Sequence, residues 1–312
     1  MKVEDIRKVA VVGAGVTGHG IAQVFAQNGY EVSLYDISHD ILQQALSRIN
    51  SNLDTLIEHG LSTEEAKREA LARIRETTIL AEAVKEADFI TEAIPEIIDL
   101  KKEVFREIEA FCPEDAIIAT NTSGLSIDEI GSLCERQGNQ VATHWFNPPY
   151  IIPGVEVVKG LETSRETFDC AYALMQKIGK KPARISKGIP GFIANRIQCA
   201  ILRESLALLE AGIASAEDID TVVKGTFGFR LPTIGPFETA DFGGLDTWFN
   251  LAQDLFPRID RSTAPPRLLR EKVEHGKLGV KTGEGFYKYE KHLLEAKIRE
   301  RDRQFIERLK QL

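Results

Sequence analysis

The chain has 312 residues, 43% of them hydrophobic and 28% charged, with a net charge of −8 at neutral pH. That is enough apolar material for about two ordinary globular domains, but no window approaches the ~18 consecutive apolar residues of a membrane span. The acidic balance, with no basic cluster, argues against nucleic acid as the main partner. Cys112, Cys134, Cys170 and Cys199 lie outside metal-ligand spacing of one another, so they read as reduced and mostly buried, and no metal is expected. The opening residues, from Met1 to Asp5, lack the basic-then-apolar signature of a secretory signal, which makes the cytoplasm the expected compartment.

Residues 9–12 form a short apolar run that reads as a buried strand, and residues 17–29 carry helical spacing through Ile21, Val24 and Phe25. A second strand is expected over 31–35, then helical stretches over 38–59 and 62–75. The later stretch opens Ser62-Thr63-Glu64-Glu65, a capping hydroxyl three residues before a carboxylate. Strand 88–93, helix 100–111, strand 116–120, helix 127–136, strands 141–144 and 155–158, helix 168–178 and strand 183–186 follow. This alternation predicts an α/β fold of Rossmann type, with a doubly wound, mostly parallel sheet. The pattern changes at Lys187-Gly188-Ile189-Pro190-Gly191. Beyond it, helices are expected over 192–211, 216–225, 244–255 and 266–275, which gives domains of 1–187 and 188–312, the second all-helical. Leu294, Ile298, Phe305, Leu309 and Leu312 add one amphipathic helix over 290–312.

Gly13-Ala14-Gly15-Val16-Thr17-Gly18 fits G-x-G-x-x-G, and it follows an apolar strand and opens a helix. That context makes the motif specific for a dinucleotide. Gly13 permits the tight turn, Gly15 has no Cβ to keep a pyrophosphate away, and Gly18 lets the helix pack closely. The helix N-terminus then offers free N–H groups to the phosphates. Asp36 ends the second strand, where a carboxylate holds the ribose hydroxyls and repels a 2′-phosphate. No Arg or Lys follows it in Ile37-Ser38-His39, so NAD is expected over NADP. The competing reading is a structural turn with Asp36 as a helix cap. His19 reads as a solvated helix residue.

Six histidines occur, and His144 stands apart. It ends a predicted strand ahead of Trp145-Phe146-Asn147-Pro148-Pro149, and ligands bind beyond the carboxyl ends of strands in such sheets. It reads equally as a core residue or as a functional one. Glu156 interrupts an apolar strand, and a buried carboxylate needs a cation or donor. His144 would serve, and the pair would form a general base oriented by a carboxylate; an outward-facing Glu156 is the other reading. Ser123 reads as either a ligand-edge residue or a helix cap. Asn195, one turn into the first helix of the second domain, reads as capping, packing or binding.

Together these segments resemble the 3-hydroxyacyl-CoA dehydrogenase family from about Val9 to Tyr289. The matching stretches include residues 13–20, 92–96, 121–125, 144–148, 155–158, 190–196, 235–238 and 281–287. The resemblance implies oxidation of a 3-hydroxy group to a 3-keto group with hydride passing to NAD. It implies His144 as general base, Glu156 orienting and charging it, and Ser123, Asn147 and Asn195 binding substrate. It also implies Gly13, Gly15, Gly18, Asp36, Glu96 and Lys101 lining the cofactor, and a homodimer through the helical domain. Family members that act on thioesters contact CoA through a serine and a lysine on the helix after Asp36. The corresponding stretch here, residues 52–59, has no lysine and two acids, which weakens a thioester assignment. Residues 147–153, 234–236 and the charged tail look closer to relatives acting on free hydroxy acids, among them the gulonate dehydrogenase (lambda-crystallin) branch, carnitine dehydrogenase and a pyridine-carboxylate dehydrogenase. A crystallin-like protein that binds NAD without turnover is a further alternative.

Overall fold

The computed structural model describes residues 2–311; Met1 and Leu312, the last apolar position of the expected tail helix, lie outside the described residues. Eight strands form one sheet: β1 (Lys8–Val12), β2 (Glu31–Tyr35), β3 (Ile74–Thr77), β4 (Phe89–Glu92), β5 (Ile117–Thr120), β6 (Gln140–Trp145), β7 (Gly154–Val158) and β8 (Lys181–Ile185). Their order is β3-β2-β1-β4-β5-β6-β7-β8. Every neighbouring pair is parallel except β6 and β7. The doubly wound, mostly parallel sheet read from the sequence is therefore present.

The pleat of β1 explains the winding. Val9 and Val11 feed one core, and Ala10 and Val12 feed another on the opposite face. All four are at most 1% exposed, as a strand covered on both faces requires. The first core takes Ile21 and Phe25 of α1 (Gly18–Gln27), Leu42, Ile49 and Leu53 of α2 (His39–Glu58), and Ala70 of α3 (Glu64–Ala72). The second takes Val84 of α4 (Leu80–Val84) and Phe105 and Ile108 of α5 (Ile98–Phe111). A short α6 (Ile127–Ile130) follows β5, and α7 (Arg165–Lys177) returns to the first core through Ala171, Leu174 and Met175.

Several elements depart from the sequence reading. The helix expected over 62–75 stops at Ala72, and residues 74–77 form β3. An edge strand reading Ile-Arg-Glu-Thr carries its own charges and no apolar run, so it gives no periodic signal. The cap of α3 is Thr63, whose Oγ1 accepts from the Ala66 N–H at 3.1 Å, rather than Ser62. Helix α4 also went unread, because its five residues are shorter than a reliable helical period.

The chain divides into two compact units, Met1–Ile193 with Arg299–Leu312, and Ala194–Ile298. The second holds α8 (Ala194–Glu210), α9 (Ala216–Gly225), α10 (Phe227–Arg230), α11 (Pro236–Gly243), α12 (Leu245–Leu255) and α13 (Arg267–Glu274). Of these, α10 and α11 were not expected. Pro236 at the start of α11 suits a first helical position, where no N–H is needed. The last helix, α14 (Lys291–Leu309), gives its final part to the first unit. There Ile306 is fully buried in the first core, with Phe305 and Leu309 packed against it.

Candidate active site

The glycine turn is shaped by contacts that only glycine permits. Gly13 has φ +106°, and a Cβ there would lie 2.7 Å from the Ala93 carbonyl oxygen. A Cβ on Gly18 would lie 1.8 Å from the Gly13 carbonyl oxygen, so Gly18 closes the turn on itself. Gly15 differs: a Cβ there would meet nothing within 4 Å. Its bare face is open at the start of α1, which fits the approach of a pyrophosphate to a helix N-terminus. The Asp36 carboxylate accepts the Ala14 N–H at 2.9 Å, tying the end of β2 to the turn. Ser38, not Asp36, occupies the N-cap of α2, so the capping alternative for Asp36 falls.

His19 is a correction. It is buried, at 8% exposure, and its Nδ1–H donates to the Gly15 carbonyl at 2.7 Å. Burial holds its pKa below the ordinary value, so the ring is a neutral prop for the turn rather than a solvated residue.

A buried ionic network underlies the carboxyl ends of β4 and β5. Glu92 is 0% exposed and accepts from the Lys101 ammonium at 2.5 Å, the Thr120 hydroxyl at 2.7 Å and the Ile94 N–H at 2.7 Å. Desolvation nonetheless pushes its pKa up, against the pull of Lys101. Lys101, 1% exposed, also lies 3.4 Å from Glu96. Glu96 in turn accepts from the Thr122 hydroxyl at 2.5 Å and the Ser123 N–H at 2.8 Å. Glu96, Lys101 and Ser123 are thus joined in one chain of contacts. Glu92 went unread, although it carries the same signal as Glu156, a carboxylate inside an apolar strand.

The antiparallel step of the sheet sets the second half of the site. It puts His144 directly opposite Glu156 in register, so both side chains leave the same face. His144 Nδ1 lies 2.7 Å from Glu156 Oε2, with both side chains about 5% exposed. Glu156 Oε1 accepts the Ile193 N–H at 3.0 Å. The segment before Ile193 covers the pair: Phe192 is buried at φ +47°, an uncommon conformation for a bulky residue, with its ring centroid 5.7 Å from that of His144. Phe146 packs on the imidazole at 4.5 Å.

The Ser123 loop is fastened to this hairpin. Asn121 Oδ1 accepts the Trp145 N–H at 2.8 Å. Gly124 packs so closely on Gly191 that a Cβ would come within 2.4 Å of its nitrogen. Asn147 meets the cofactor turn, where its Oδ1 accepts from the Thr17 hydroxyl at 3.2 Å. Asn195 is the second residue of α8, in the other unit. The four cysteines are free, and no cluster of His, Cys, Asp and Glu suited to a metal occurs among the described residues. No helix among them is long and apolar enough to cross a membrane.

A Rossmann-type sheet carrying this glycine turn defines a dinucleotide-binding protein. Residues 8–188 match the family model "3-hydroxyacyl-CoA dehydrogenase, NAD binding domain", and residues 191–289 match the C-terminal domain of the same family. The chain belongs to the 3-hydroxyacyl-CoA dehydrogenase family and is an NAD-dependent oxidoreductase. A probable 3-hydroxybutyryl-CoA dehydrogenase of Bacillus subtilis is 37% identical over 287 residues, covering 92% of this chain and 98% of its own. Among solved structures, the 5-formyl-3-hydroxy-2-methylpyridine 4-carboxylic acid 5-dehydrogenase, described as an NAD+-dependent dismutase, is similar at TM-score 0.90 and 32% identity, covering 96% of each chain. The (S)-3-hydroxybutyryl-CoA dehydrogenase of Ralstonia eutropha is similar at TM-score 0.77 and 38% identity, covering 92% of this chain and 100% of its own.

Proposed function

We propose that the chain oxidises a 3-hydroxyacyl substrate to the 3-keto product, with His144 as general base. The observation that carries this is the 2.7 Å contact between His144 and Glu156 at the carboxyl end of β6. With Nδ1–H donated to the carboxylate, Nε2 keeps its lone pair to take the hydroxyl proton. Glu156 then faces the imidazolium formed, and its other oxygen is held by Ile193, so the pair does not have to reorganise as charge appears. In this reading Ser123, Asn147 and Asn195 bind the substrate. Gly13, Gly15, Gly18 and Asp36 hold the cofactor, and Glu96 and Lys101 line it. NAD, when bound, supplies the nicotinamide ring that accepts the hydride.

A CoA thioester is the first substrate reading, supported by 37% identity to proteins named as 3-hydroxybutyryl-CoA dehydrogenases. The second is a free hydroxy acid. It is favoured by the TM-score of 0.90 to the pyridine-carboxylate enzyme, against 0.77 for the Ralstonia thioester enzyme. It is also favoured by residues 52–59: Lys67 reaches this stretch from α3, but Asp54 already neutralises it. A panel separates the two readings: NADH oxidation with acetoacetyl-CoA, and NAD reduction with gulonate, carnitine and pyridine hydroxy acids. Turnover of a free acid with none of acetoacetyl-CoA would overturn the thioester reading.

The chain is further proposed to form a homodimer through its helical unit. Phe237, Phe242, Phe249 and Phe256 are 63–86% exposed, far more aromatic surface than a lone soluble unit leaves open. A monomeric mass in sedimentation would contradict this. Four free cysteines suit a reducing compartment, and we place the chain in the cytoplasm.

A further inference from the structure

The loop joining β6 to β7 is rich in proline: Pro148, Pro149 and Pro153 have no N–H to give. Its carbonyls are gripped from one side by the connection between α7 and β8. The part-buried Lys180 ammonium donates to the Pro149 carbonyl and, at 2.9 Å, to the Ile152 carbonyl. The Lys181 N–H donates to the Pro153 carbonyl at 2.8 Å. Lys180 also lies 5.2 Å over the Trp145 ring, a cation–π contact. Among the described residues no carboxylate pairs with it, and desolvation alone pushes its pKa down to about 8. An ammonium drawn out of water without a counter-charge is costly, so its contacts to the loop have to compensate.

The far side of that loop is keyed to the cofactor turn. Asn147 accepts from Thr17, inside the glycine motif. The Pro149 ring fits against Gly20 of α1, where a Cβ would lie 2.9 Å from Pro149 Cδ. A shift of the loop would therefore be felt at the helix end that receives the phosphates.

We propose that Lys180 is a positioning residue for cofactor binding, clamping the β6–β7 loop so that Asn147 and Pro149 brace the glycine turn and α1. The inference rests on NAD binding and not on which substrate is oxidised. The ionisable groups on the surrounding elements are Tyr150 on the loop, Lys177 on α7, His19 on α1, His59 just after α2, and Arg301, Asp302 and Glu307 on α14. Burial pushes the Tyr150 phenol up to about 12 and holds His19 below its ordinary value, so neither changes charge between pH 7 and 9.5.

The test is NADH affinity of the full chain by fluorescence titration, for wild type, Lys180→Met and Lys180→Arg, from pH 7 to 9.5. Loss of two charge-assisted hydrogen bonds in Lys180→Met should weaken NADH binding by about tenfold at pH 7, with faster amide exchange over 148–153. Lys180→Arg, which keeps the cation, should recover most of the affinity. Wild-type affinity should weaken through pH about 8, while the Met variant stays flat. Affinity of Lys180→Met within twofold of wild type would overturn the proposal. If that variant fails to fold, a wild-type profile with no change through the same pH range overturns it instead.

Discussion

The parallel strands β1, β2 and β4 and the antiparallel pair β6–β7 belong to one sheet, yet they are built for different tasks. The parallel part ends in a turn whose glycines are dictated by backbone contacts, with one bare face at Gly15. Parallel strands present their carboxyl ends together, and so gather loops suited to a cofactor. The antiparallel pair does what parallel neighbours do not do here. It sets two residues from opposite strand directions face to face, and the two are His144 and Glu156. In the proposed mechanism, binding and proton transfer fall to separate stretches of the same edge. Substitutions in one part should move affinity for NADH, and those in the other should move turnover.

A large effect on that division is expected from Glu156→Gln. It keeps the shape of the pair but removes the charge that faces the imidazolium, and kcat should fall by about 100-fold or more. NADH affinity should stay within a few-fold; a large loss of NADH binding would mean that the two regions are not separable. Gly18→Ala attacks the other part, because its methyl would overlap the Gly13 carbonyl oxygen at 1.8 Å. NADH binding should weaken by about 100-fold, the scale expected of a misplaced binding group; fluorescence titration checks it. Asp36→Ala is milder. Losing the carboxylate should cost about tenfold in the preference for NAD over NADP, read from kcat/KM with each cofactor. An unchanged preference would remove Asp36 from the ribose site.

The smallest effect concerns stability and pH. Lys180 titrates at about 8 in the folded chain, below the ~10.4 of an exposed lysine. Folding therefore disfavours its charged form, a cost present in full below pH 8 and relieved as pH rises toward that of the unfolded chain. Between pH 8 and 10 wild type should gain on Lys180→Met by roughly 2 kcal/mol, discounted for the part of the side chain that stays wet. Urea unfolding of both chains at pH 7 and pH 10 measures it. A constant difference would mean that the amine is not desolvated.

The sequence shows these regions with unequal clarity. The glycine turn is a local pattern on a strand and helix of ordinary period, so it is legible from residues 9–36 alone. His144 and Glu156 are each conspicuous, but their pairing depends on the direction and register of β6 against β7, which no local period encodes. The need of a buried carboxylate for a cation or donor suggested the link, and the family resemblance implied it as well. Glu92 and Lys101 form a contact nine residues apart, across a strand and a helix; Glu92 at the end of an apolar strand signals a buried charge, but Lys101 alone resembles a solvated one. Lys180 sits beside Lys181 in a polar stretch, and only the arrangement of the prolines facing it distinguishes the two. The edge strand β3 is invisible because its side chains are those of a surface.

In the proposed division of the site, His144 serves turnover and leaves cofactor binding to the glycine turn. His144→Ala tests it directly, with NADH titration and steady-state turnover measured on the same preparation. Turnover should fall by about 1,000-fold or more, with NADH affinity nearly unchanged. Substantial residual turnover, or loss of NADH binding in a folded variant, would contradict that division.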